Sequence, residues 1–105
     1  MTSAQVDAQI RSITNQLVTK YQAEKVIVFG SAAKGKMRQG SDLDFLVIKR
    51  DDRSFHQRLV DLYRLIEKDM AADFIVYTPS ELTERVEMGD PFIKSILKNG
   101  RVLYG

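Results

Sequence analysis

An α/β (α+β) domain, built as a small β-sheet flanked by helices, is what this 105-residue sequence predicts. Three observations point to it. Short apolar runs rich in β-branched residues recur at 25–29, 43–48 and 73–77, each with the length of a buried strand. Stretches with apolar residues at helical spacing stand before, between and after them. In the second run, Leu46 and Ile48 share a face with Asp44 while Leu43, Phe45 and Val47 share the other, so the sheet is covered on both sides.

Each element has its own justification. Val6, Ile10, Ile13, Leu17, Val18 and Tyr21 mark an amphipathic helix over the first twenty residues. The first strand follows at 25–29, and Gly30-Ser31 falls where it opens into a loop. Residues 31–41 make a glycine-punctuated loop, because Gly35 and Gly40 leave no room for a long helix. After the second strand, Ser54 and Gln57 have capping-box spacing. Phe55, Leu59, Leu62, Tyr63, Ile66 and Met70 then give the buried stripe of a second long helix ending near Met70. The third strand opens on Asp73. Thr78-Pro79-Ser80-Glu81 combines an N-cap, a proline at the first helical position and a reaching glutamate, so a short helix starts there. Asp90-Pro91 opens another, Asn99-Gly100 closes it, and 101–104 adds an edge strand.

Length allows one core and not two, which gives a single domain over 1–105. A hydrophobic content of 44% with 29% charged residues fits a soluble globular protein, and no apolar run approaches membrane-spanning length. The first residues lack the basic and apolar regions of a signal peptide, so the expected location is the cytoplasm. The absence of cysteine excludes a disulfide frame, a thiol nucleophile and a cysteine-ligated zinc site, and a lone histidine argues against other zinc sites. That residue, His56, lies on the polar side of its helix and reads as solvated. Tyr21, Tyr63, Tyr77 and Tyr104 read as core or edge packing. Net charge is only +2, yet Lys34, Lys36 and Arg38 gather without an acid among them. The cluster suits phosphate oxygens and is too small for a nucleic-acid-binding face, so no direct nucleic-acid contact is expected.

The densest chemical signal is Gly30-Ser31 at the end of one strand, followed after ten residues by Asp42-Leu43-Asp44 at the mouth of the next. Side chains two apart on a strand share a face, with Cα atoms ~6.5 Å apart. Asp42 and Asp44 therefore converge on shared hard cations, magnesium or manganese by the chemistry of their oxygens. Glycine lets backbone come close to phosphate, and the Ser31 hydroxyl and neighbouring amides can donate to its oxygens. Residues 30–36 also spell Gly-x-x-x-x-Gly-Lys, six-sevenths of a P-loop. Met37 offers no hydroxyl to magnesium, and Gly40 with the second strand leaves no space for the helix that a P-loop launches, so that reading is set aside.

With Gly30-Ser31, Asp42-x-Asp44 and the later strand carboxylate Asp73, the chain resembles the DNA polymerase β-like nucleotidyltransferase superfamily. By size it is similar to the minimal nucleotidyltransferases, the antitoxin partners of HEPN-type ribonuclease toxins. The resemblance spans 26–104 and implies a mixed sheet flanked by helices. It also implies that Gly30 and Ser31 hold the terminal phosphates of ATP, that Asp42 and Asp44 ligate two Mg2+ ions, and that Asp73 completes the triad. In that triad Asp73 shares one metal and helps to deprotonate the attacking hydroxyl. Family members commonly carry arginine directly after Gly-Ser, where this chain has Ala32, and Lys34, Lys36 or Arg38 would substitute for it.

The function this resemblance implies is transfer of AMP from ATP to a hydroxyl, a tyrosine of a cognate HEPN toxin, in a hetero-complex of enzyme and toxin. The short chain lacks the extra domain that binds an acceptor in larger relatives, which favours an acceptor presented by a partner protein. Two alternatives stand beside it: a non-enzymatic antitoxin that neutralises by binding, and a standalone transferase acting on a small molecule such as an aminoglycoside.

Overall fold

Periodicity in the sequence becomes three layers in space. The computed structural model describes residues 2–37 and 41–105. Arg38 and Gly40, assigned above to the basic cluster and the loop, lie outside the described residues. Four strands, β1 (Lys25–Phe29), β2 (Leu43–Ile48), β3 (Ala72–Tyr77) and β4 (Arg101–Tyr104), form one sheet in the order β3-β2-β1-β4. β1 runs antiparallel to β2 and β4, whereas β2 and β3 are parallel, so the sheet is mixed. A parallel pair needs a crossover, and the helix α2 (Phe55–Leu65) supplies it.

Each face of the sheet buries a different helix pair, as the two apolar faces of β2 require. On one side, Ile13 and Leu17 of α1 (Ser3–Thr19) and Leu62 of α2 pack over Val26, Val28, Phe45, Val47, Phe74 and Val76. On the other, Ile93 and Ile96 of α4 (Pro91–Asn99) cover Ile27, Leu46 and Ile48, with Leu82 of α3 (Pro79–Glu87) beside them. The helix starts follow their caps. Thr2 with Gln5, Ser54 with Gln57 and Thr78 with Glu81 form complete capping boxes, and the Asp90 carboxylate accepts from the first-turn amides of α4.

Two details depart from the sequence expectations. α2 stops at Leu65 rather than near Met70. Side chains of α1 take the backbone there: Gln16 bonds both the N–H and the C=O of Glu67, Lys20 bonds the Leu65 carbonyl, and Gln9 accepts from the Asp69 amide. Those bonds replace the ones a longer helix would have made. The stripe is also less buried than expected, since Phe55 and Tyr63 both stand partly in solvent while Leu62 is enclosed. Gly100 closes α4 as expected, in an extended conformation with φ −72°. Its requirement for glycine is steric: a Cβ there would lie 2.5 Å from the Ile96 carbonyl oxygen and 2.7 Å from Ile27 Cγ2.

Arg58 of α2 is buried to 5% exposure although charged, and Glu81 of the α3 capping box explains it. One Glu81 oxygen accepts from Arg58 Nη1 at 2.6 Å and from the Thr78 amide at 2.8 Å, joining the starts of two helices. Burial pushes the Glu81 carboxyl up, but those donors outweigh it and hold the group below the usual carboxylate range.

Candidate active site

The parallel pairing of β2 and β3 brings their starting ends together, and each start carries an aspartate. Register sets Asp44 directly beside Asp73 on one side and Phe29, the last residue of β1, on the other. Asp42 lies exposed, one residue before β2 begins. Burial first, and then the negative charges of Asp73 and Asp42, push the Asp44 carboxyl above the usual carboxylate range. Both of the other sequence-derived carboxylates therefore act on Asp44. Among the described residues no three acidic or histidine side chains are already gathered as a cation cage. The donor set nevertheless fits a hard divalent cation: every donor is a carboxylate oxygen, and the charges that act on Asp44 among the described residues are negative, which a cation would offset.

Gly30 is held against this cluster. Its φ is +72°, and a Cβ at this position would stand 2.6 Å from Asp44 Oδ2. Glycine is required twice, for the left-handed backbone and for the close approach. We expect Gly30→Ala to cost about 1–2 kcal/mol in stability. Because the clash falls on Asp44 itself, activity should fall further, by about a hundredfold, the usual effect of a 1 Å misplacement. Thermal melting beside a transfer assay checks both, and a variant of wild-type activity would show that Asp44 need not stay where it is.

The turn that follows is closed by a hydrogen bond from the Lys36 amide to the Ser31 carbonyl at 2.9 Å. The Ser31 hydroxyl donates to Met37 Sδ at 3.3 Å, a weak acceptor that a phosphate oxygen would displace readily. Lys34 and Lys36 both extend into solvent from this turn, and Lys34 lines a cavity together with Gly30. Ala32 points the other way. At 8% exposure it belongs to the core beneath α1, so it offers no phosphate contact, and no charged side chain fits there without leaving that core.

Tyr63 belongs to this site too, although its sequence reading was packing alone. Its ring meets Phe74 edge-on at 5.5 Å, and the residue stays 46% exposed. Partial burial, followed by the Asp73 charge, holds its hydroxyl above the ordinary tyrosine range. Topology carried a signal for this: a crossover helix runs back against its strands, so the last turn of α2 must lie near the starts of β2 and β3. His56 is exposed on α2, as expected.

The fold and the sequence both have relatives. A solved structure of a "putative nucleotidyltransferase" from Sulfolobus solfataricus superposes with a TM-score of 0.56 at 24% identity, over 80% of this chain and 82% of that one, which is a likeness of fold. A Methanocaldococcus jannaschii protein named "Putative protein adenylyltransferase" is 29% identical over 99 residues, covering 90% of this chain and 94% of the relative. The family described as Polymerase beta, Nucleotidyltransferase matches residues 11–105, from within α1 through the whole sheet and every candidate site residue. On that match the chain belongs to the polymerase beta nucleotidyltransferase family.

Proposed function

We propose that this nucleotidyltransferase moves AMP from ATP to a protein hydroxyl, a tyrosine of a HEPN-type ribonuclease toxin, and so acts as that toxin's antitoxin. The observation that carries the reading is the pairing of Asp44 with Asp73 at one sheet end, with Gly30 pressed against Asp44. The likeness to a relative named as a protein adenylyltransferase supports a protein acceptor.

In this reading the Gly30 backbone and the Ser31 hydroxyl hold the terminal phosphates, with Lys34 and Lys36 adding positive charge from the same turn. Asp42, Asp44 and Asp73 would hold two Mg2+ ions, which would supply charge neutralisation for an in-line displacement. Asp73 accepts the proton of the attacking hydroxyl. The hydroxyl oxygen bonds to the α-phosphorus, the bond from that phosphorus to the bridging oxygen breaks, and pyrophosphate leaves with the electron pair. Tyr63 lies near Asp73, whose charge acts on its hydroxyl.

Incubating the protein with magnesium and α-labelled ATP, with and without a candidate HEPN toxin, tests this by intact mass of both chains. We expect the toxin to gain mass in steps of one AMP. A stable complex without mass gain would replace transfer by neutralisation through binding. Labelled product formed without any protein partner would point instead to a small-molecule acceptor.

A further inference from the structure

Beside the carboxylates, a cavity of about 240 Å³ opens between the Gly30 turn and α4, lined by Phe29, Gly30, Lys34, Phe92, Ser95 and Asn99 among others. We infer that this cavity receives the purine base of the nucleoside triphosphate, with Phe92 stacking on its ring and Asn99 reading its edge. The inference rests on the nucleotidyl-transfer reading above and assigns the part of the substrate that reading leaves open.

Position comes first. Gly30 is shared between the cavity and the Asp44 carboxylate, so a nucleotide with its phosphates at the turn has its nucleoside end within reach of the opening. Size agrees, because pockets for drug-sized ligands usually measure ~300–1,000 Å³. A smaller cavity has room for a base and part of its sugar, with the triphosphate left outside along Lys34. The walls are suited to a flat heteroaromatic ring. Phe92 is 51% exposed, so its ring is open to a ligand in the cavity. Phe29 meets it edge-on, with ring centroids 5.8 Å apart and an interplanar angle of 84°, and the Phe92 amide is tied to Asp90 at 2.9 Å. A ring held in this way offers a stacking surface at little entropic cost.

Ser95 and Asn99 stand one turn apart on α4, joined by a long hydrogen bond of 3.4 Å. The Asn99 amide presents a donor and an acceptor side by side, the pattern that pairs with the N6 and N7 positions of adenine. An acceptor side chain from a protein partner would not need that pair at the far wall, and it must reach the carboxylates from outside.

Calorimetric binding of ATP, UTP and inorganic triphosphate, each with magnesium, tests the assignment without depending on transfer. The wild-type protein is expected to bind ATP more tightly than inorganic triphosphate. Phe92→Leu, which removes the ring and keeps an apolar side chain, should weaken ATP roughly tenfold to a hundredfold, as loss of one base-stacking ring does elsewhere. Affinity for inorganic triphosphate should stay the same in that variant. Ser95→Leu, which fills the cavity from an exposed position, should give the same pattern, and melting curves of both variants check that they fold. Asn99→Leu should remove a preference for ATP over UTP. Equal wild-type affinity for ATP and inorganic triphosphate, or ATP affinity that survives both Phe92→Leu and Ser95→Leu, overturns the base assignment and leaves nucleotidyl transfer intact. Equal affinity for ATP and UTP overturns the purine preference. Failure of the wild type to bind any triphosphate overturns the transfer reading itself.

Discussion

Asparagine in place of Asp44 should leave a folded protein that melts higher than the wild type in the absence of metal and no longer transfers AMP. The two effects share one cause. Asp44 is pushed above the usual carboxylate range by burial and by its neighbours Asp73 and Asp42, so its ionised form is disfavoured in the folded chain. A carboxylate with a raised folded pKa binds protons more readily folded than unfolded. Its contribution to stability is therefore fully present below its unfolded value, near pH 4, and is lost as pH rises through the folded value. At pH 7 the charge opposes folding, and Asp44→Asn removes that opposition. The difference in melting temperature between variant and wild type, measured with a chelator present, should vanish on acidification below the carboxylate range. Magnesium should raise the melting temperature of the wild type by mass action and do so less in the variant. Loss of charge stabilisation worth several kcal/mol implies a fall of about a thousandfold or more in transfer. Appreciable transfer by the variant, or a wild type indifferent to magnesium, would remove Asp44 from the metal site.

Much of this was legible in the sequence, and what was not has definite physical reasons. Local signals were sufficient for the elements: β-branched runs gave β1 and β2 to the residue, and the Thr78-Pro79 and Asp90-Pro91 caps fixed the starts of α3 and α4. The spacing of Gly30, Asp42 and Asp44 pointed to the site. Pairing was beyond local signals. That Asp73 stands beside Asp44 depends on the register of a parallel pair joined through α2, and register is set by packing of the whole sheet. The end of α2 is hidden from local signals for a similar reason, since the groups that stop it, Gln9, Gln16 and Lys20, lie on α1 and at its C-cap. The burial of Arg58 was equally hidden, because its partner Glu81 is 23 residues away and first serves as a helix cap.

The largest loss of stability is expected at the opposite end of the sheet, from Asp51→Ala. Asp51 follows β2 and is nearly enclosed. Its carboxylate accepts from the Tyr21 hydroxyl at 2.8 Å and from Arg53 through Nε at 2.9 Å, Nη2 at 2.7 Å and the backbone amide at 3.1 Å. Arg53 continues the network to Asp61 of α2. One carboxylate thus ties the chain after α1, the exit of β2 and the body of α2. Arg53 is nearly half exposed, so the ion pair alone is worth little. The cost lies in Tyr21, buried at 4% exposure, whose hydroxyl would lose its acceptor. Breaking such a buried, hydrogen-bonded charge should cost about 3 kcal/mol, and Asp51→Asn, which keeps an acceptor, about 1 kcal/mol. The pH dependence runs opposite to that of Asp44. Side-chain hydrogen bonds from Arg53 hold the Asp51 carboxyl well below the usual carboxylate range, against the pull of burial. Its contribution is therefore present above the unfolded value near pH 4 and is lost as pH falls toward the folded one. Denaturant unfolding of the wild type and Asp51→Ala should accordingly converge as pH drops below 4. Transfer by Asp51→Ala, assayed well below its melting temperature, should match the wild type, because the carboxylates of the site stand at the starts of β2 and β3 and Asp51 lies beyond the exit of β2. Loss of transfer in a folded Asp51→Ala protein would mean that the two ends of the sheet are coupled.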